Sequence, residues 1–197
     1  LVDYMKKKGI NKIGVISVSN AFGDSGKQQL RLQCSKAKIK ILAEESFLDS
    51  DKDMTPQLTR IRAKRPQAIV CWGTNPGPAI VARNARQLGI KSPILMSHGI
   101  ANRKFIELAG PAANGVIFPA GRMLVVDELP ASDPQKKTLL AYRAAFKKKF
   151  KKDPDTFGGH AYDAIHLVVR AIDKVGPNRD KIRKEIENTK GFVGIGG

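Results

Sequence analysis

The chain has 197 residues, with 35 Lys and Arg against 18 Asp and Glu for a formal charge of +17. That length supports one domain or two small ones around a buried core, and the absence of a run of about 18 apolar residues excludes a membrane-spanning helix. Two cysteines, Cys34 and Cys71, are too few for a disulfide framework or a zinc site and read as two buried thiols rather than one bridge. The basic excess raises a nucleic-acid or anionic-membrane partner. Lys6, Lys7, Lys8, Lys147, Lys148, Lys149, Lys151 and Lys152, however, fall at helix ends and on polar helix faces. Apart from Phe150, aromatic residues do not interleave with them as a stacking platform requires. The expectation is a solvated surface and no nucleic-acid partner.

In chain order, the opening LVDYMKKKG lacks the layout of a signal peptide and reads as a helix already under way, as in a fragment, with Val2 and Met5 on one face. Apolar runs at 12–18, 40–47, 68–73, 93–98 and 115–120 predict five strands, several apolar on both faces as buried parallel strands are. Between them the pattern predicts helices over 25–37, 56–64, 77–88 and 102–109. Thr55-Pro56 offers a cap with proline at the first helical position, and Gly89 a stop. Strand and helix alternating in this way predict an α/β fold, a parallel doubly wound sheet with helices on both faces, over 1–121. The rhythm then changes. Residues 123–134 are irregular, and three helices follow over about 135–151, 160–175 and 179–189 with no strand between them. They need another surface to cover, so 122–197 reads as an incomplete neighbouring region. The closing GFVGIGG reads as an unfinished turn or strand.

Chemical motifs are sparse. The dinucleotide, phosphate-loop, metalloprotease and nucleophile-elbow signatures are all missing. GDSG at 23–26 fits a turn feeding a helix better than a protease segment. His160 and His166 are six apart, which misses the spacing of four that puts two ligands on one helical face. No metal and no cofactor are expected. The carboxyl ends of parallel strands are where ligands bind in such sheets. Here those ends are Ser19 to Gly23, Gly73 to Pro76 and Ser97 to Gly99, rich in small and polar residues. They equally suit ordinary strand-to-helix turns.

Four segments carry a family resemblance: SNAFGDSG (19–26), NPGPAIVARNARQLGI (75–90), PILMSHGIAN (93–102) and FGGHAYDAIHLVVRAIDKVG (157–176). In this order they resemble the type I periplasmic solute-binding proteins of the branched-chain amino acid (leucine/isoleucine/valine-binding) ABC transporter family, entered at its second lobe. The resemblance implies a periplasmic binding protein type I lobe over 1–121, and over 122–197 a hinge crossing with helices of a partly missing first lobe. It implies an extracytoplasmic protein, periplasmic or a lipoprotein, and no enzyme. Its two lobes close on a small organic acid or amino acid, it docks on an ABC permease, and it is a monomer at full length. It implies ligand contacts from Asn20, Phe22, Gly23, Thr74, Asn75, His98 and Phe157. Tyr162, Asp163 and His166 read as scaffold, with Ala161, Ile165, Val168, Val169 and Ile172 an apolar stripe and Asp163 set to favour the helix dipole.

The departures from the family are informative. Thr74 and Asn75 stand where amino-acid binders carry a tyrosine pair, and His98 where they place a glutamate that pairs with the ligand's ammonium. Removing the carboxylate partner of a buried ammonium costs roughly 3–5 kcal/mol, which points to a non-amino-acid ligand such as an aromatic acid. Alternatives are a ligand-sensing domain of a transcription regulator or receptor with the same fold, and a doubly wound enzyme. The enzyme lacks any acid/base or nucleophile constellation at the strand ends.

Overall fold

Four of the five apolar runs become strands. The computed structural model describes all 197 residues and divides into two units, Leu1–Pro119 and Ala120–Gly197. The first runs α1 (Val2–Lys7), β1 (Lys12–Val18), α2 (Ala21–Lys36), β2 (Lys40–Phe47), α3 (Thr55–Ala63), β3 (Ala68–Trp72), α4 (Gly77–Gln87), β4 (Ile94–Met96) and α5 (Arg103–Ala109), with a 3-10 turn at His98–Ile100. All strand pairs are parallel, in the order β2-β1-β3-β4. Alternation splits each strand between two cores. Ile13, Val15, Val70 and Leu95 meet Met5 of α1 and Leu30 and Cys34 of α2. Ile16, Val18, Ile69, Cys71, Ile94 and Met96 meet Leu58 and Ile61 of α3, Ala79 to Ala85 of α4 and Phe105 of α5.

The expected fifth strand over 115–120 does not form. Ile117 alone bridges β4: its amide donates to Ile94 O at 3.0 Å, and its carbonyl accepts from Met96 N at 2.8 Å. Gly115, at φ 77°, turns the chain on one side. Pro119 has no N–H to continue the ladder on the other. Two helices begin four residues before the apolar periodicity does, because caps set their starts. Asn20 Oδ1 accepts from Phe22 N and Gly23 N, both at 3.1 Å, and opens α2, so GDSG lies within the helix rather than in a turn. Thr55 is the first residue of α3, not its cap; its amide donates to Asp53 Oδ1 at 2.9 Å.

Both cysteines are free and buried, and burial pushes both thiols up from their ordinary range. A buried thiol kept from ionising is inert. Ellman titration is expected to label neither residue in the native chain and both after denaturation.

The second unit holds a 3-10 turn at Arg122–Val125, α6 (Lys136–Phe150), α7 (Thr156–Val175) and α8 (Arg179–Glu187). Asp155 caps α7, accepting from Gly158 N at 2.8 Å. Met123, Val126, Leu139, Tyr142 and Ile195 form a small core. The closing segment is neither a strand nor loose. Asp163 accepts from Ile195 N at 2.8 Å and Gly196 N at 2.7 Å, while Gln135 Nε2 donates to Gly194 O and Ile195 O at 2.8 and 3.1 Å. The Asp163 carboxylate, expected to act on the helix dipole, is occupied in pinning the tail. Bonds to a charged group contribute about 1.5–3 kcal/mol each where water is excluded. Part of this site is exposed, so Asp163→Ala is expected to destabilise the second unit by about 2 kcal/mol in total, read by urea denaturation. On α7, Ile165, Val168, Val169 and Ile172 are exposed.

Candidate functional site

Three strand ends of the first unit converge on one crest. β1 leads to Asn20 and Phe22, β3 to Trp72, Gly73, Thr74 and Asn75, and β4 to Ser97 and His98. Because β3 lies between β1 and β4, residues about 25 and 50 positions apart become neighbours. The Phe22 and His98 rings stand edge to face, with centroids 5.7 Å apart and planes at 88°. Trp72 joins them at 5.9 Å from Phe22 and 6.4 Å from His98. These separations are those of attractive aromatic pairs. His98 is exposed, and Phe22 and Trp72 are partly so.

The backbone beneath is locked. Buried Ser97 Oγ donates to Gly73 O at 3.0 Å and accepts from Gly73 N at 3.3 Å, tying the β3 and β4 exits together. A β-carbon on Gly99 would lie 2.5 Å from Gly73 O and 3.1 Å from Thr74 Cγ2, so the two turns touch. Asn75 Nδ2 donates to Asn102 Oδ1 at 3.3 Å, and Asn102 caps α5. Asn75 Oδ1 is buried and takes no hydrogen bond within the protein.

Of the seven expected ligand residues, Phe22, Thr74, Asn75 and His98 share the crest. Asn20 is there too, but its side chain is committed: Oδ1 caps α2 and Nδ2 donates to Asp49 Oδ2 at 3.1 Å. Gly23 is buried against the Val18 carbonyl and serves packing. Phe157 lies in the second unit, on the first turn of α7, and is exposed. Sequence reading missed Trp72, and it placed Ser97 at a strand end without its role as a tie. Trp72 ends an apolar run and passes for core, and its place as the chain's one tryptophan, next to Gly73, is the signal available. Nothing in the sequence marks Ser97 as a tie between strand exits.

The crest offers aromatic edges, an imidazole, a hydroxyl and an amide oxygen. Imidazole N–H donates in either protonation state, which suits a carboxylate, carbonyl or hydroxyl lying against the rings. A nucleophile paired with a base is not among these groups. Nowhere in the chain do three His, Cys, Asp or Glu side chains gather into a group that could hold a metal.

Comparison with known proteins agrees with this architecture. The sequence profile of a family described as "Periplasmic binding protein" matches residues 1–197. A leucine-, isoleucine-, valine-, threonine- and alanine-binding protein of Pseudomonas aeruginosa is 24% identical over 83% of this chain and 42% of its own length. A Leu/Ile/Val-binding protein of Rhizobium johnstonii is 24% identical over 94% of this chain and 50% of its own. Among solved structures, an extracellular ligand-binding receptor from Rhodopseudomonas palustris HaA2 superposes with TM-score 0.90 at 28% identity, over 100% of this chain and 57% of that one. A leucine binding protein from Thermotoga maritima superposes with TM-score 0.82 at 26% identity, over 100% of this chain and 54% of that one. The chain spans about half the length of the relatives it matches.

Proposed function

We propose, from the premise that the chain belongs to the periplasmic binding protein family, that it serves as an extracytoplasmic solute-binding component of an ABC transporter and not as an enzyme. Its ligand is a small carboxylate without an α-amino group, an aromatic acid fitting best. The observation that carries the ligand class is the contact of His98 with Phe22 at the strand ends. A donor stands there in place of an acidic partner for an ammonium, and it stands against a ring. Asn75 Oδ1, an unpaired acceptor on the same crest, suits a ligand hydroxyl; a buried acceptor is costly to leave unmatched.

The domain reading extends this. Residues 1–121 act as the second lobe, and 122–197 supply the hinge crossing and helices of the first. Phe157 belongs to the ligand side of that first lobe. Support comes from the exposed apolar stripe of α7, the pattern of a helix whose covering sheet lies outside these residues. The half-length match to the relatives points the same way. On this proposal the ligand-bound form docks as a monomer on a membrane permease.

Native mass spectrometry of the protein as purified, followed by denaturation and analysis of the released molecule, tests the ligand class. The reading expects a carboxylate lacking a primary amine. Release of leucine, isoleucine or valine would contradict it.

A further inference from the structure

Trp72 is the chain's one tryptophan, and neither its strand position nor the family resemblance marks it as functional. It ends β3, the strand flanked by β1 and β4. Phe22 follows β1 and His98 follows β4, so the indole stands on the strand between the two ligand-side rings. The imidazole plane is close to perpendicular to both, at 88° to Phe22 and 86° to Trp72. Behind the indole lies α2. Its Gly26 is buried, and a β-carbon there would overlap the indole at Cδ1, Nε1 and Cγ. The helix therefore lacks a side chain where the indole enters. Glycine inside a helix is unfavourable in itself, so the gap is matched to what fills it. The buried Nε1 makes no hydrogen bond within the protein. Hydrogen bonding therefore does not account for an indole here, whereas contact with two rings at once does.

We propose that Trp72 is a positioning residue for the ligand site. Seated in the gap at Gly26, it fixes the edge-to-face angle between Phe22 and His98 and so aims the imidazole at the ligand's anionic group. This rests on the reading of the crest as the ligand site. A ring on the middle strand limits how far Phe22 and His98 can turn, because each would have to leave its contact with the indole to do so.

The test uses W72L, W72F and G26A in the full chain as it is encoded, with two readouts. The first is the set of nuclear Overhauser contacts between the His98 and Phe22 rings by NMR, with no ligand present. The second is the affinity for sodium benzoate by calorimetry. W72L is expected to lose or rearrange those ring-to-ring contacts and to weaken benzoate binding about tenfold. W72F, which keeps a ring, is expected to keep them and to stay within about threefold of the parent. G26A, which dislodges the indole without replacing Phe22, Trp72 or His98, is expected to rearrange the same contacts. A purely structural Trp72 would lower thermal stability while leaving the Phe22–His98 contacts and benzoate affinity unchanged, and that result overturns the proposal. Should W72L not fold, W72F and G26A decide it on the same readouts. If the parent protein does not bind benzoate, the aromatic-acid reading fails, while the Phe22–His98 contacts still decide the role of Trp72.

Discussion

Replacing His98 with glutamate is expected to reverse the ligand preference, admitting leucine and rejecting organic acids. The size follows from how dry the site becomes. At an exposed position an ion pair contributes about 1 kcal/mol or less, and His98 on the bare crest is exposed. Where a bound ligand excludes water, leaving an ammonium unpaired costs roughly 3–5 kcal/mol. A glutamate at this place restores that partner. The gain for leucine is then on the order of a thousandfold in affinity. The same carboxylate meets an anionic ligand with like charge, and such repulsion is a strong source of specificity. The change is isolated from the fold, because the Ser97 tie beneath it is made by a neighbouring side chain. Calorimetric titration of H98E with leucine and with benzoate checks both halves. Equal affinity of parent and variant for leucine would show that position 98 does not face the ligand.

The second large effect is on stability. Gly23→Ala would ordinarily stabilise a helix, since alanine is favoured over glycine by about 1 kcal/mol in helical positions. Here the sign reverses. A β-carbon at residue 23 overlaps the carbonyl oxygen of Val18, which is backbone at the end of a central strand and cannot swing aside. To make room, α2 must lift from β1, and with it go the Asn20 cap and the seat of Phe22. Overpacking of a tight interior costs about 1–3 kcal/mol and more where backbone is met. We expect a loss of about 3 kcal/mol in urea denaturation, together with weaker ligand binding. A stabilised G23A would mean that the first turn of α2 is looser than this packing implies.

The doubly wound plan was legible because parallel strands buried on both faces are written as unbroken apolar runs. Ala68 to Trp72 is such a run, and Ile13 to Val18 is one interrupted only by Gly14 and Ser17. The run at 115–120 looks alike but stops at one bridge, because Gly115 and Pro119 act through backbone geometry that hydrophobicity does not register. Helix starts at 21 and 156 were hidden for a related reason. Ala21-Phe22-Gly23-Asp24 and Thr156-Phe157-Gly158-Gly159 lack apolar periodicity, and Asn20 and Asp155 set those starts by hydrogen bonds. Phe22 and His98 were reached through the family resemblance, not through their own surroundings. Their contact depends on strand order, which places β3 between β1 and β4 and is not written in any local pattern. Trp72 escaped because a tryptophan at the end of an apolar strand reads as core. The Asp163 anchor escaped because its partners lie about thirty residues away and are backbone amides without a signature of their own.

On the proposed function, the crest formed by Phe22, Trp72 and His98 receives a carboxylate and not an amino acid. Thermal-shift measurements on the parent protein with leucine, valine, benzoate and phenylacetate, side by side, test it most directly. A ligand at about one hundred times its Kd stabilises the folded state by about 2.7 kcal/mol, a readily measured rise in Tm. That rise is expected with an aromatic acid and not with leucine or valine. A large rise with leucine or valine and none with either acid would contradict it.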